Sequence, residues 1–128
     1  MPAAAAPTPA ELQVLRILWG RGPSTVREVH EALYAGTETA YTTTLKLLQN
    51  LHAKGMVERN EDQRQHVYSA VAREDDTLQG VLRGLIDRAF DGSGAALAMH
   101  ALEAKPASRA ELAELKELIR RLEKQGRR

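Results

Sequence analysis

The chain has 128 residues, of which 43% are hydrophobic and 27% charged, and its formal net charge is +1. That length supports one ordinary core or two small units that need each other, and no run approaches the roughly 18 apolar residues of a membrane span. Cysteine is absent, which excludes disulfides and thiolate metal sites and fits a cytoplasmic protein.

The first helix is predicted from its start signal. Residues 1–7 lack the basic start and long apolar centre of a signal peptide, so we expect a disordered tail. Thr8 and Glu11 have capping-box spacing with proline at the first helical position, which predicts a helix beginning there. Gly20, Gly22 and Pro23 are expected to end it. Its predicted inward residues are Leu12, Val14, Leu15, Leu18 and Trp19.

A second helix is predicted to begin after a cap at Ser24 or Thr25, and residues 36–39 form a predicted turn into a third helix. Two helices joined by a short turn that contains glycine are typical of a helix-turn-helix. The predicted inward residues of the second helix are Val26, Val29, Ala32 and Leu33.

The third helix has one apolar edge and one edge of hydroxyl, amide and amine groups. Residues 40–56 contain no acid, whereas a solvated helix surface usually mixes acids with bases. Lysine neutralises phosphate or meets guanine, amides pair with adenine, and threonine offers a hydroxyl and a methyl group. The alternative is an ordinary solvated polar face. The predicted inward face is Ala40, Thr44, Leu47, Leu48 and Leu51, and the candidate DNA-binding residues are Tyr41, Thr42, Thr43, Lys46, Gln49 and Asn50.

After Gly55 the pattern changes to alternation, which predicts strands at residues 56–59 and 66–71 with a polar tip between them. A hairpin directly after a recognition helix is a wing, and Arg64 is its preferred DNA contact over Arg59 and His66. Lys54 precedes the glycine expected to end the helix. Phosphate contact and capping of the helix end remain equally open for it.

The rest of the chain is predicted to be helical, at residues 75–90, 95–103 and from a second capping box at Ser108 and Glu111 onward. Short amphipathic helices bury little alone, so a second copy of the chain is the expected partner. The candidate dimerisation residues are Leu78, Val81, Leu82, Leu85, Phe90, Leu112, Leu115, Leu118, Ile119 and Leu122.

Catalytic and metal sites are not predicted. The four histidines, His30, His52, His66 and His100, share no i,i+4 spacing and are interpreted as surface or packing residues. No serine stands in a glycine-flanked elbow, and no glycine-rich phosphate loop follows a strand. We therefore expect neither enzymatic activity nor a cofactor.

At this point the sequence resembles the penicillinase-repressor family of winged-helix regulators over residues 8–124. The resemblance rests on several short motifs in a fixed order. They are Glu11 with Leu15, Leu18 and Trp19, residues 25–29, residues 40–43, Leu48 and Leu51, residues 54–57, Arg64 with His66 and Tyr68, and residues 90–93.

The resemblance implies a mainly α fold, with a winged helix-turn-helix DNA-binding domain at residues 8–72 and an all-α dimerisation domain at 73–128. It implies a homodimeric repressor on an inverted-repeat operator that controls β-lactam-response or related stress genes, with a regulatory protease as a further partner. In the best-known members of the family, the repressor is cut at an Asn-Phe bond. This chain has no such pair, and the corresponding region is His100 and Ala101. The absence of cysteine excludes the copper switch of one family branch.

The runner-up hypothesis is a winged-helix adaptor that binds protein and not DNA, since fold alone never settles function. Residues 1–72 hold seven bases and seven acids, which favours the adaptor because bulk basicity is missing. The acid-free face of the third helix favours DNA.

Overall fold

The computed structural model describes residues 6–34 and 40–126. The predicted turn at residues 36–39 and most of the predicted tail lie outside the described residues. Within them the chain is mainly α-helical, as predicted. The elements in order are α1 (Pro9–Arg21), β1 (Ser24–Thr25), α2 (Val26–Leu33), α3 (Tyr41–Ala53), β2 (Val57–Asn60), β3 (Val67–Ala70), α4 (Glu74–Ala89), α5 (Gly94–Ala104) and α6 (Arg109–Gly126).

The first two helices begin at reciprocal caps. The Glu11 amide donates to the Thr8 hydroxyl at 3.2 Å, and the Thr8 amide donates to the Glu11 carboxylate at 3.0 Å. Thr25, and not Ser24, caps α2 in the same way through Glu28. Each box satisfies amides that a helix start otherwise leaves open. The predicted start of α1 is therefore confirmed.

The sheet has three antiparallel strands in the order β1-β3-β2. The hairpin of β2 and β3 is the predicted wing, shifted by about one residue. The strand β1 was not predicted, because two residues are too few to show alternation. Its Ser24 pairs with Tyr68, and Thr25 pairs with Val67, so the start of α2 is held directly against the wing.

The core lies between α1, α2, α3 and the sheet. Its buried hydrophobic residues are Val14, Leu15, Leu18, Val26, Val29, Leu48, Leu51, Met56, Val57 and Tyr68. Trp19 is half-buried at its edge, and its indole Nε1 donates to the Ala72 carbonyl at 2.9 Å. Two predicted inward residues are corrected. Ala32 is exposed because Val26 and Val29 form the inward side of the short α2, and Ala40 is exposed because it caps α3 from outside the helix.

The chain divides into two compact units, Met1–Gly84 and Leu85–Arg128. The predicted boundary between residues 72 and 73 falls at the end of the wing and stays a prediction. The second unit contains the end of α4 with α5 and α6, and none of its described residues, 85–126, is buried. Within the described parts of the chain, no helix is long and apolar enough to cross a membrane.

Candidate nucleic-acid interface

The outward side of α3 carries the side chains that the sequence pattern predicted. Thr44, Leu48 and Leu51 are buried, while Leu45 and Leu47 are half-buried against the core. The helical period therefore places the remaining polar residues on the opposite side. The exposed residues are Tyr41, Thr42, Thr43, Lys46, Gln49 and Asn50. No acid lies among them.

A hydrogen bond between α2 and α3 positions this helix. His30 Nδ1 lies 2.7 Å from the hydroxyl of Thr44, which is fully buried. A buried hydroxyl costs free energy unless it has a partner, so His30 makes threonine tolerable on the inward side. The His30 ring also contacts the Tyr41 ring, with 5.8 Å between centroids. His30 is thus a packing histidine, one of the two interpretations that the sequence offered, and its contacts with Thr44 and Tyr41 orient the start of α3.

Arg27 is a candidate residue that the sequence pattern did not single out. Its guanidinium lies 5.8 Å from the centre of the Tyr41 ring, within cation–π distance, and both side chains are exposed. A cleft of about 260 Å³ is lined by this pair and by Arg64 and His66 of the wing. The cleft therefore brings the predicted Tyr41 and Arg64 together with Arg27.

Within the wing, Arg59 and Arg64 differ in their surroundings. The Tyr68 hydroxyl and the Glu61 carboxylate both accept from the Arg59 guanidinium and raise the pKa of that group, with 2.7 Å between Arg59 Nε and Glu61 Oε2. Within the described residues, no acid pairs with Arg64, which is exposed in the wing tip. Arg64 is therefore available for a contact with DNA, and its choice over Arg59 stays a prediction.

Lys54, by contrast, is paired with residues at and just before the start of α1. Its amine contacts the carboxylate of Glu11 at 2.5 Å and the Ala6 carbonyl at 3.2 Å. Burial by itself raises the pKa of Glu11, but hydrogen bonds from Lys54 and Thr8, with the Lys54 charge, outweigh burial, so the pKa is lowered. The left-handed Gly55, with φ of 77°, ends the helix as expected. These contacts support a structural role for Lys54, and its predicted phosphate contact stays untested.

Seven of the ten predicted dimerisation residues lie in the second unit, and Leu78, Val81 and Leu82 lie on the part of α4 that belongs to the first unit. In the whole predicted set, Val81, Phe90 and Leu115 are half-buried and the other seven are exposed, including Ile119 at 55%. His100 and Ala101, the predicted cleavage region, are both exposed within α5, and the His100 ring packs on Phe90 with 5.4 Å between centroids.

No cluster of three or more metal-ligating side chains occurs among the described residues. What the winged part presents is an acid-free helix face that includes Lys46, with two further cations, Arg27 and Arg64, in the cleft beside Tyr41. Such a surface suits nucleic acid, which offers negatively charged phosphates to the cations and hydrogen-bonding base edges to the polar side chains.

Comparison with known proteins agrees with this geometry. The sequence model of the penicillinase repressor family matches residues 7–121. Transcriptional regulator BlaI of Mycobacterium tuberculosis (strain H37Rv) is 40% identical over 95 residues, which cover 73% of this chain and 69% of that protein. Methicillin resistance regulatory protein MecI of Staphylococcus aureus (strain N315) is 22% identical over 110 residues, which cover 86% of this chain and 89% of that protein.

Two solved structures are similar in fold. The solution structure of the DNA binding domain of the repressor BlaI superposes with a TM-score of 0.51 at 25% identity, covering 59% of this chain and 93% of that domain. The crystal structure of YusO from Bacillus subtilis superposes with a TM-score of 0.52 at 22% identity, and the match covers 91% of this chain and 74% of YusO. The winged-helix fold class predicted from the sequence is thereby confirmed.

Proposed function

The chain belongs to the penicillinase repressor family, a family of transcriptional repressors and not of enzymes, and we propose that it is a sequence-specific repressor that binds double-stranded DNA as a homodimer. The observation that carries the proposal is the exposed face of α3, where six polar or aromatic side chains stand together without an acid. Family membership and the likeness to the BlaI DNA binding domain support it.

In the proposed docking, α3 enters the major groove and presents Thr43, Gln49 and Asn50 to base edges. Arg27 and Arg64 both line the cleft beside Tyr41, which suits phosphates that flank the groove. Lys46 is exposed on α3 and serves phosphate or guanine. Phosphate contacts position the protein, while contacts to base edges select the sequence.

The homodimer is proposed from the second unit. None of its described residues is buried, although α6 carries a continuous apolar stripe that includes Leu118, Ile119 and Leu122. An exposed apolar surface of this kind is normally covered by a partner, and a second copy of the same stripe is self-complementary. Two-fold symmetry of the protein then calls for an inverted-repeat operator with half-sites about one or two helical turns apart.

The names of the relatives, BlaI and methicillin resistance regulatory protein MecI, support genes of the β-lactam response or related stress genes as the regulated set. We further propose the cytoplasm as the place of action, because a repressor must reach the DNA. A regulatory protease is the further partner that we propose. Exposure of His100 and Ala101 supports cleavage there, but both lie inside α5, so the helix must open locally before a protease can cut the bond between them.

The experiment is a selection of bound fragments from the source genome, followed by footprinting on the strongest site. We expect a protected region with two-fold symmetry and an affinity that falls steeply as salt is added. An asymmetric footprint would contradict the homodimer. No binding to any fragment would contradict DNA binding and favour the protein adaptor.

A further inference from the structure

The start of α3 differs from the starts of α1 and α2. Those two helices begin at capping boxes, whereas Ala40, which precedes α3, makes no side-chain hydrogen bond to the helix. A first turn without a side-chain cap depends more on packing for its order. The same turn carries Tyr41, Thr42 and Thr43, three of the proposed DNA contacts.

His30 packs against this turn from α2. Its Nδ1 lies 2.7 Å from the hydroxyl of Thr44, and its ring meets the Tyr41 ring edge-on, with 5.8 Å between centroids and 66° between planes. Edge-to-face pairs at this distance are a favoured arrangement of rings. On its other side the His30 ring contacts Tyr34, with 5.3 Å between centroids. One side chain of α2 therefore contacts both ends of the first turn of α3.

Tyr41 extends this contact to Arg27. Arg27 and His30 are three positions apart on α2, so they project from the same side of that helix. The Arg27 guanidinium lies 5.8 Å from the centre of the Tyr41 ring. Since Arg27 forms no ion pair among the described residues, its contact with Tyr41 limits where the guanidinium can point.

We propose that His30 is a positioning residue for DNA binding, an inference that rests on the proposed function. Without touching DNA, the half-buried His30 ring holds Tyr41 at the start of α3, and through Tyr41 it holds Arg27 toward the phosphates. A side chain that is ordered before binding loses less conformational entropy in the complex, which favours affinity.

The test compares two variants that separate the ring of His30 from its hydrogen bond. His30→Asn keeps a polar group near the Thr44 hydroxyl but removes the ring, so affinity for the selected operator should fall at least about fivefold. His30→Phe combined with Thr44→Val keeps a ring against Tyr41 and replaces both polar partners by apolar groups, which can be nearly neutral for stability. This double variant should bind within about threefold of the wild type. Fluorescence anisotropy measures affinity, and urea unfolding checks that each variant is folded.

A second background separates positioning from a general loosening of the fold. If His30 acts through Tyr41, His30→Asn should have no further effect on affinity in a Tyr41→Ala protein, because the side chain that it holds is already gone. The same fold-change in both backgrounds would overturn the proposal. Ala32→Asn is the matched control, since it introduces asparagine at an exposed position of α2 beside α1. It should bind as the wild type does.

A measurement without DNA distinguishes failure of this proposal from failure of the proposed function. In NMR spectra of the wild type, the Tyr41 ring should shift the side-chain protons of Arg27 upfield of those of the exposed Arg16, and His30→Asn should reverse the shift. Unchanged Arg27 shifts in His30→Asn, or affinity equal to that of the wild type, would overturn the positioning role alone. Absence of DNA binding by the wild type would overturn the proposed function and the role of His30 in it.

Discussion

The amine of Lys54 lies 2.5 Å from a carboxylate oxygen of Glu11, a residue 43 positions earlier in the chain. Glu11 is only 3% exposed, and the pair joins the end of α3 to the start of α1. A carboxylate removed from water in this way requires a cation and hydrogen bonds. Lys54 supplies the cation, and the capping amide of Thr8 supplies a further hydrogen bond.

Replacing Lys54 by methionine should therefore lower stability. The variant leaves the Glu11 carboxylate buried without its cation, and we expect the free energy of unfolding to fall by about 2 kcal/mol, less than for a fully buried pair because Lys54 is partly exposed. Urea unfolding measures the change. Lys46→Met, on the exposed side of α3, is the control and should change stability by less than about 0.5 kcal/mol. Equal midpoints for Lys54→Met and the wild type would refute the structural role.

The same pair predicts a dependence of stability on pH. The pKa of Glu11 in the folded protein is below the ordinary glutamate value of 4.5, so the carboxylate contributes stability that is fully present above about pH 4.5. That contribution is lost as the pH falls through the folded pKa. Glu11→Gln should be less stable than the wild type at pH 7, and urea unfolding should show the difference shrinking toward pH 3. A difference that stays constant with pH would contradict the prediction.

Local signals explain which parts of the fold were predictable. Capping boxes span four residues, as at Thr8 and Glu11, and the buried positions Thr44, Leu48 and Leu51 repeat at three or four residues. These patterns need no knowledge of distant contacts. The outward face of α3 was predictable for the same reason, because the inward residues determine it.

The remaining features depend on contacts between distant segments. The ion pair of Lys54 with Glu11, the hydrogen bond of His30 with Thr44 and the pairing of Ser24 with Tyr68 all form only after the chain folds. No periodicity in the sequence marks them. For that reason the sequence alone does not decide between phosphate contact and capping of the helix end for Lys54, and it does not predict β1.

The proposed phosphate contacts predict a uniform loss of affinity. Removing Arg27, Lys46 or Arg64 by alanine should weaken binding to operator and unrelated DNA alike if each touches a phosphate. Each replacement should also reduce the slope of log affinity against log salt by about one. Fluorescence anisotropy at several salt concentrations measures both quantities. Arg16→Ala, an exposed arginine on α1, is the control and should bind as the wild type does.

The proposed base contacts predict a different pattern. Asn50→Ala should weaken binding to the selected operator by at least about tenfold, because one good contact to a base is worth about 1–3 kcal/mol of discrimination. Affinity for a scrambled duplex should not change, and Thr43→Ala should act in the same direction. Competition gel shifts with both duplexes measure the ratio. Gln79→Ala removes an exposed amide from α4 and serves as control. An equal loss on both duplexes would move Asn50 from base to backbone contact.

The apolar stripe of α6 predicts that subunit association is sensitive to charge. Ile119 and Leu122 are 55% and 53% exposed in the single chain, so aspartate at either position is tolerated by the monomer. In the dimer the new carboxylate is buried without a cation, which should raise the dissociation constant of the subunits at least about 100-fold. Sedimentation equilibrium measures it.

Ala113→Asp is the matched control for this change, because Ala113 is exposed on the side of α6 away from the stripe. It should leave the dimer intact. Because each monomer retains its own α3, the Ile119→Asp variant should still contact one half-site, with an affinity for the inverted repeat that depends on protein concentration. A variant that remains dimeric would show that the stripe of α6 is not the subunit contact, and the symmetric operator would then need another interface.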